Sequence, residues 1–564
     1  MAGAADQLLE EARRLLGQGD VTSALAACEV ALRSESSAEG NHLAGGLRYL
    51  DDDLSGARGH WETAFDLYER AGNRRPAARV AAALADLHAA GLGNQAAGRG
   101  WVQRGRRLLA AEGRCVEVGY LELGVVACLY SDVRAVERSA DLALELAVEF
   151  HDRDLEVRAL ADGGLALVTQ GRQGEGFDRV DEALAAMSAG EVRDPVVLGK
   201  SMCALLSACD RAADLRRAEE CIQVVATMVA SRLGDRPRIL HTHCRSAYGS
   251  VLCGLGRWTE GERVLIEALG PTSSVSSYHR MMTSCHLADL RILQGRLEEA
   301  AVLLRPWHER VDAFCPRARL HLAANELDLA ASLARAGLTS LRGDALRGVP
   351  LWSVLVSAEL ARKDLSAARV AAQGLADLVD RTRSPVLRAE ALLAAGVVAA
   401  AAGDHATAVQ LLQQAEAIVA EDVRPVLRAR VGYSLAEALA GGGQVELAID
   451  EARAALETFV ALDAGPDADR TAALLRRLGA PATRARSADP TQLLAALTAR
   501  EHQVLELLCE GLTNAQIGQR LYVTTKTAEH HVSRILAKLG VPSRAQASAV
   551  RARGRLALPE EQLG

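Results

Sequence analysis

A short phrase recurs along the first 450 residues and constrains the fold more than anything else in the chain. It runs as a small or turn-forming residue, a polar residue, and a small residue five positions after the first, opening an Ala- and Leu-rich stretch. It reads Gly19-Asp20 with Ala24, Asp52-Asp53 with Ala57, Gly93-Asn94 with Gly98, and Ser131-Asp132 with Val136. Gly171-Arg172 with Gly176, Ala213-Asp214 with Ala218, Gly256-Arg257 with Gly261, and Gly295-Arg296 with Ala300 follow. Lys363-Asp364 with Ala368, Gly403-Asp404 with Ala408 and Gly443-Gln444 with Ala448 complete the series. Neighbours lie 33 to 43 residues apart, except for 68 between Gly295 and Lys363, where a degraded unit near Ala336-Gly337 would fill the gap. Glycine accepts the left-handed conformation that ends a helix, and an adjacent Asp or Asn can cap the next one. The residue at the fifth position falls in the first turns of that helix, where bulk would hold two helices apart. Ten of the eleven are Ala or Gly, so the pattern predicts αα-hairpins stacked side by side.

Composition agrees. Among 564 residues only 3% are aromatic and 49% are hydrophobic, which excludes a large β-sandwich, barrel or propeller and supplies apolar surface for a continuous helical core. Phrases such as Leu255-Gly256-Arg257 and Leu293-Gln294-Gly295-Arg296-Leu297-Glu298-Glu299-Ala300 resemble the tetratricopeptide repeat. The periods near 40 exceed the usual ~34 of that repeat, and most of its aromatic positions are lost. The expected fold is therefore all-α: a TPR-like α-solenoid of about 11–12 hairpins over residues 1–478. Such an array presents a surface to an unidentified ligand or partner protein, or serves as a spacer. The eleven cysteines are scattered without a Cys-x-x-Cys pair and read as reduced thiols in a cytoplasmic protein. Met1–Gly17 is acid-bearing and amphipathic, unlike a signal peptide. The longest apolar run, Ala391–Ala402, is mostly alanine and falls short of the roughly 20 residues of a membrane span. No membrane partner is expected.

After a last helix at Asp467–Leu478, Gly479-Ala480-Pro481 opens a linker, 479–491, and a separate domain is expected over 492–564. Thr498-Ala499-Arg500-Glu501 and Thr513-Asn514-Ala515-Gln516 are two capping boxes. Val504, Leu505 and Leu508 follow the first as an apolar stripe ending at Glu510-Gly511, and Ile517 and Leu521 turn inward after the second. Thr524 caps a third helix that runs to about Leu539 and stops at Gly540; a fourth follows Pro542-Ser543. Four short helices with tight turns fit a helix-turn-helix domain. In the third, Ala528, Val532, Ile535 and Leu539 share the core stripe. Lys526, His530, Ser533 and Ala537 lie opposite, flanked by Glu529 and Arg534. Residues 497–556 hold nine basic against four acidic side chains, while the whole chain carries −7, so a polyanion would be met at this end. Short and cationic side chains suit a major groove about 12 Å wide. Glu529 either accepts from a cytosine amino group or pairs with Lys526 or Ser533 on the helix surface.

Leu497-Thr498-x-Arg500-Glu501 with Val504-Leu505, and Gly511-Leu512-Thr513-Asn514-x-x-Ile517, resemble the LuxR-type (GerE-type) DNA-binding domain. So do Lys526-Thr527-Ala528-Glu529-His530-His531-Val532, Ile535-Leu536, Lys538-Leu539 and Arg544-x-x-Ala547. Ala528 stands where that family usually has Val. The resemblance implies that the third helix reads DNA, that Glu529, His530 and Ser533 approach bases, and that the last helix pairs two domains. His531 matches a structural position. The candidate DNA contacts are Thr513, Asn514, Thr525, Lys526, Thr527, Glu529, His530, Ser533, Arg534 and Lys538. The expected partners are double-stranded promoter DNA, a second copy of the chain on it, and RNA polymerase at the promoter. The alternative is a TPR-like adaptor or anti-regulator whose C-terminal domain binds protein.

Large MalT-like regulators with this C-terminal domain resemble the chain in outline but carry an NTPase before the repeats. Here Gly199-Lys200-Ser201 has Asp194 where a phosphate loop needs its first glycine, and its surroundings are helical. No nucleotide, metal or other cofactor is expected, nor a catalytic role. His241-Thr242-His243-Cys244 invites a metal reading, but residues two apart on a helix diverge.

Overall fold

The computed structural model describes residues 2–481 except 129–131, 233–237, 271–276, 342–343, 381, 383 and 421, together with 497–509, 512–521, 523–539, 547 and 551. The chain divides into two units, Met1–Ala480 and Pro481–Gly564. Among the described residues the regular elements are all helices, and none is long and apolar enough to cross a membrane.

The first unit is a file of twelve antiparallel helix pairs, from Ala2–Gly17 with Val21–Ser34 to Pro425–Gly441 with Val445–Leu462, closed by the single helix Gly465–Arg477. The recurring phrase marks the turn inside every pair but the ninth, Phe314–Ala323 with Leu327–Ser340. Its first residue has a positive φ at Gly19, Asp52, Gly93, Gly171, Ala213, Gly256, Gly295, Lys363, Gly403 and Gly443; Ser131 lies outside the described residues. Its second residue caps the next helix by accepting a backbone N–H at Asp20, Asp53, Asn94, Asp132, Asp214, Asp364 and Asp404. Where that residue is Arg172, Arg257 or Arg296, the guanidinium instead pairs with a glutamate three residues on. All eleven residues at the fifth position are buried. The closeness they allow is visible at Gly176, where a Cβ would lie 2.7 Å from the Val168 backbone nitrogen and 2.8 Å from the Gly164 carbonyl oxygen.

One expectation is corrected. Ala336 and Gly337 lie inside the helix Leu327–Ser340, where Gly337 packs under Leu351. The missing turn is Asn325-Glu326, with Asn325 at φ 62 and Ala330 fully buried at the fifth position. It lacks both signals that betray the others in sequence: no glycine supplies the left-handed residue, and Glu326 makes no side-chain cap.

The array also coils back on itself, and ion pairs join distant hairpins. Arg211 Nη1 donates to Asp344 Oδ2 at 2.9 Å, linking the sixth pair to the tenth. Arg347 bonds Asp344 and Asp312. Burial alone would raise the Asp344 carboxyl, but the two guanidiniums hold it below the usual carboxylate range. Lys200 donates to Asp86 of the third pair, with its ammonium 4.9 Å from the Tyr49 ring centre. The Gly199-Lys200-Ser201 stretch thus lies within the helix Pro195–Arg211, its lysine engaged in a structural contact. His241, His243 and Cys244 fall in the helix Arg238–Gly254, but their side chains lie outside the described residues.

If small residues at the crossing set hairpin closure, Ala368→Leu should destabilise the array by about 1–3 kcal/mol, the usual penalty for overpacking. Leucine at the exposed neighbour Ser366 should leave it within about 0.5 kcal/mol. Urea unfolding followed by circular dichroism distinguishes the two.

Candidate nucleic-acid interface

Three helices are described in the second unit: Ala499–Cys509, Asn514–Arg520 and Thr525–Leu539. Each begins where a hydroxyl can satisfy a free N–H. Thr498 N donates to Glu501 Oε2 at 2.8 Å while Glu501 N donates to Thr498 Oγ1 at 3.3 Å. Thr513 and Gln516 form the same reciprocal box, and Thr527 N donates to Thr524 Oγ1 at 3.1 Å. Both capping boxes and the threonine cap stand where the sequence places them. The proposed linker, apart from its first three residues, and the fourth helix, apart from Ala547 and Arg551, lie outside the described residues, as do Glu510, Gly511 and Gly540.

The core is one cluster of Leu497, Val504, Leu505, Leu508, Ile517, Ala528, Val532, Ile535, Leu539 and Ala547. Four of its members form the inner stripe of Thr525–Leu539. The opposite side is thereby turned outward: Thr525, Lys526, Thr527, Glu529, His530, Ser533, Arg534 and Lys538 are exposed, and His531 is half-buried. Thr513 is exposed at the start of the preceding helix and Asn514 is half-buried. Among the described residues, no ion pair engages Lys526, Arg534 or Glu529, so the surface pairing of Glu529 with Lys526 is not formed. A Thr524–Thr527 hydroxyl contact of 2.8 Å rigidifies the helix start.

Lys538 behaves differently from the other cations. Its Nζ donates to Glu501 Oε2 at 2.6 Å, so its charge is answered inside the domain. Burial would raise the Glu501 carboxyl, but the ammonium together with the Thr498 N–H and hydroxyl overcomes this and holds it at about 2. Further ties were not foreseen from the sequence. Arg500 Nη2 donates to the Leu521 carbonyl at 2.7 Å, fastening the first helix to the turn before the third, and Arg551 Nε donates to Glu506 Oε1 at 2.9 Å. Gly518 is buried, and a Cβ there would lie 2.9 Å from the Val523 carbonyl oxygen. The second helix can approach the turn only without a side chain at that point. A glycine inside a short, otherwise helical stretch was the available signal.

Residues 495–550 match the family described as bacterial regulatory proteins, luxR family. The spore germination protein GerE of Bacillus subtilis is 43% identical over 51 residues, which are 9% of this chain and 69% of GerE. The chain belongs to the luxR family. The DNA-binding transcriptional activator DevR/DosR of Mycobacterium tuberculosis is 47% identical over 62 residues, and the transcriptional regulatory protein LiaR of Bacillus subtilis 45% over 60. These matches cover 11% of this chain in each case, and 29% and 28% of those two proteins. Among solved structures, yeast Tom70 superposes with a TM-score of 0.32 at 11% identity, covering 84% of this chain and 97% of that one.

The Glu501 carboxyl is stabilised as an anion, so its contribution is present above its ordinary value of 4.5 and is lost as pH falls toward 2. Hydrogen exchange in Ala499–Cys509, corrected for intrinsic rates, should therefore quicken across that window. In Glu501→Gln it should be faster already at pH 7 and lose the extra acid dependence.

Proposed function

We propose that this luxR-family chain is a transcriptional regulator that lays the helix Thr525–Leu539 in the major groove of promoter DNA. The observation that carries the reading is the division of that helix: one stripe is the domain core, and the other presents the exposed Lys526 and Arg534, in no ion pair among the described residues, beside His530, Ser533 and Glu529. Lys526 and Arg534 neutralise phosphates, with Thr513, Asn514, Thr525 and Thr527 as shorter-range backbone contacts. His530, Ser533 and Glu529 offer donors and acceptors to base edges. Lys538 has its first duty to Glu501 and contributes to DNA mainly by holding the helix in place.

A domain of this size makes few phosphate contacts. Two copies on an inverted repeat raise affinity through effective concentration, and we propose that the helical array governs that pairing in response to a ligand or partner protein. RNA polymerase at the promoter is a further proposed contact. The assignment is regulatory rather than enzymatic, and it favours a cytoplasmic location, where the DNA is.

Selection of duplexes by the full chain from a random pool, followed by anisotropy titrations at several salt concentrations, tests this. Lys526→Glu should weaken binding to all sequences about 10-fold or more and reduce the salt slope by about 1–2. His530→Ala or Ser533→Ala should keep the slope and change the preferred base, with discrimination altered by about 1–3 kcal/mol. Unchanged affinity in Lys526→Glu, or a full chain that selects no duplex, rejects the assignment and leaves the adaptor reading.

A further inference from the structure

The helical array holds a buried carboxylate with one oxygen left unanswered at the edge of a cavity. Asp162 lies in the helix Arg153–Thr169 of the fifth pair and is 2% exposed. Its Oδ2 accepts from Arg158 Nε at 2.8 Å. Its Oδ1 is also buried and has no hydrogen-bond partner among the described residues. A buried acceptor without a donor costs about 1–3 kcal/mol, more when it is charged, so such an atom points to a group that completes it. Asp162 lines a cavity between the fourth, fifth and sixth pairs, partly open to solvent, whose apolar wall includes Val126, Val133, Val136 and Leu165. Arg211 stands on the same cavity. We propose that this cavity binds a small aliphatic α-amino acid, with its ammonium on Asp162 Oδ1, its carboxylate on Arg211 and its side chain against the valines and Leu165.

The chemistry of the lining selects that class. A carboxylate oxygen asks for a donor, and an ammonium supplies three with the opposite charge. Burial raises the Asp162 carboxyl, and Arg158 offsets this only in part, so a second cation at Oδ1 completes its stabilisation as an anion. A simple amine would bring an unbalanced charge with it. The charges around Asp162 are already matched: Arg158 with Asp162 itself, Arg211 with Asp344, Arg347 with Asp312 and Lys200 with Asp86. A ligand of no net charge keeps that balance, and an unpaired buried ion is costly. Arg211 uses one N–H on Asp344 of the five that a guanidinium has, which leaves donors for the carboxylate of the ligand. Among the described residues that line the cavity, Asp162 and Arg211 are the charged ones, so a hydrocarbon side chain suits the rest.

Size sets the upper limit. With its mouth the cavity amounts to about 310 Å³, room for about ten water-sized groups at ~30 Å³ each. That admits alanine, valine or leucine and excludes a nucleotide. The tight interior takes about one water-sized group, which an ammonium matches, and the hydrocarbon then lies toward the mouth. Val136 is the one residue of the eleven at the fifth position of the recurring phrase that is neither Ala nor Gly, and here the bulkier side chain forms part of the wall. Arg211 belongs both to the cavity and to the ion pair that joins the sixth pair to the tenth, so occupancy bears on how the array coils. That consequence rests on the regulatory reading above; binding itself does not.

Isothermal titration of the full chain with alanine, valine and leucine, without DNA, tests the site. At least one should bind at one molecule per chain and slow hydrogen exchange in Val133–Phe150 and Arg153–Thr169. Its N-acetyl and its amide derivatives, which lack the ammonium and the carboxylate respectively, should each bind at least about 10-fold more weakly, as expected for loss of a charged hydrogen bond. Asp162→Asn should weaken the free amino acid by a similar factor. Should that variant not fold, the two derivatives on the unaltered chain still decide. Binding of none of the three, equal binding of either derivative, undiminished binding to folded Asp162→Asn, or protection elsewhere in the array overturns the proposal. With no duplex present, failure here leaves the DNA-binding reading intact, and a chain that binds the amino acid but selects no duplex rejects that reading alone.

Discussion

Two α-helices can lie against each other along their length only where their backbones are allowed to come close. In this chain that permission is given in nearly every hairpin by one Ala or Gly five positions after the turn, with Val136 as the exception. At Ala24, Ala57, Ala368 or Ala408 the crossing is sealed by a buried methyl group; at Gly176 even a methyl has no room. With the crossing fixed, the turn and cap set the direction of return, and successive pairs bury their remaining apolar faces on one another.

The DNA-binding candidate depends on the same economy of contact in a smaller space. A core of ten residues holds three described helices, so each polar tie matters. Glu501 is both the partner in a capping box and the acceptor for Lys538 from a helix far along the chain. Arg500 reaches the carbonyl of Leu521, and Gly518 lets the second helix approach the turn. These contacts hold Thr525–Leu539 with its polar side outward, and that side stays exposed because the other stripe is consumed by the core.

Much of this was legible in the residues. The turns could be found because glycine and capping aspartate leave a local signature, and the helix-turn-helix because hydroxyl caps and a 4-3-4 apolar spacing do the same. Where the signature is absent the turn is hidden in sequence: Asn325-Glu326 turns the chain without glycine or cap, whereas the glycine of Ala336-Gly337 lies inside a helix. On the candidate interface, chemistry alone ranked Lys538 with Lys526, since an ammonium looks the same in sequence whether it faces solvent or a buried carboxylate.

What the sequence determined by itself was local and periodic: helix type, turn positions, caps, and which stripe of each helix is apolar. These follow from propensities and spacings acting within a few residues. Only the tertiary structure decided the pairings between residues far apart in the chain: Arg211 with Asp344, Lys200 with Asp86, and Lys538 with Glu501. Such partners are selected by how the helices pack and how far the array coils, and a charge carries no mark along the chain of which opposite group it will meet.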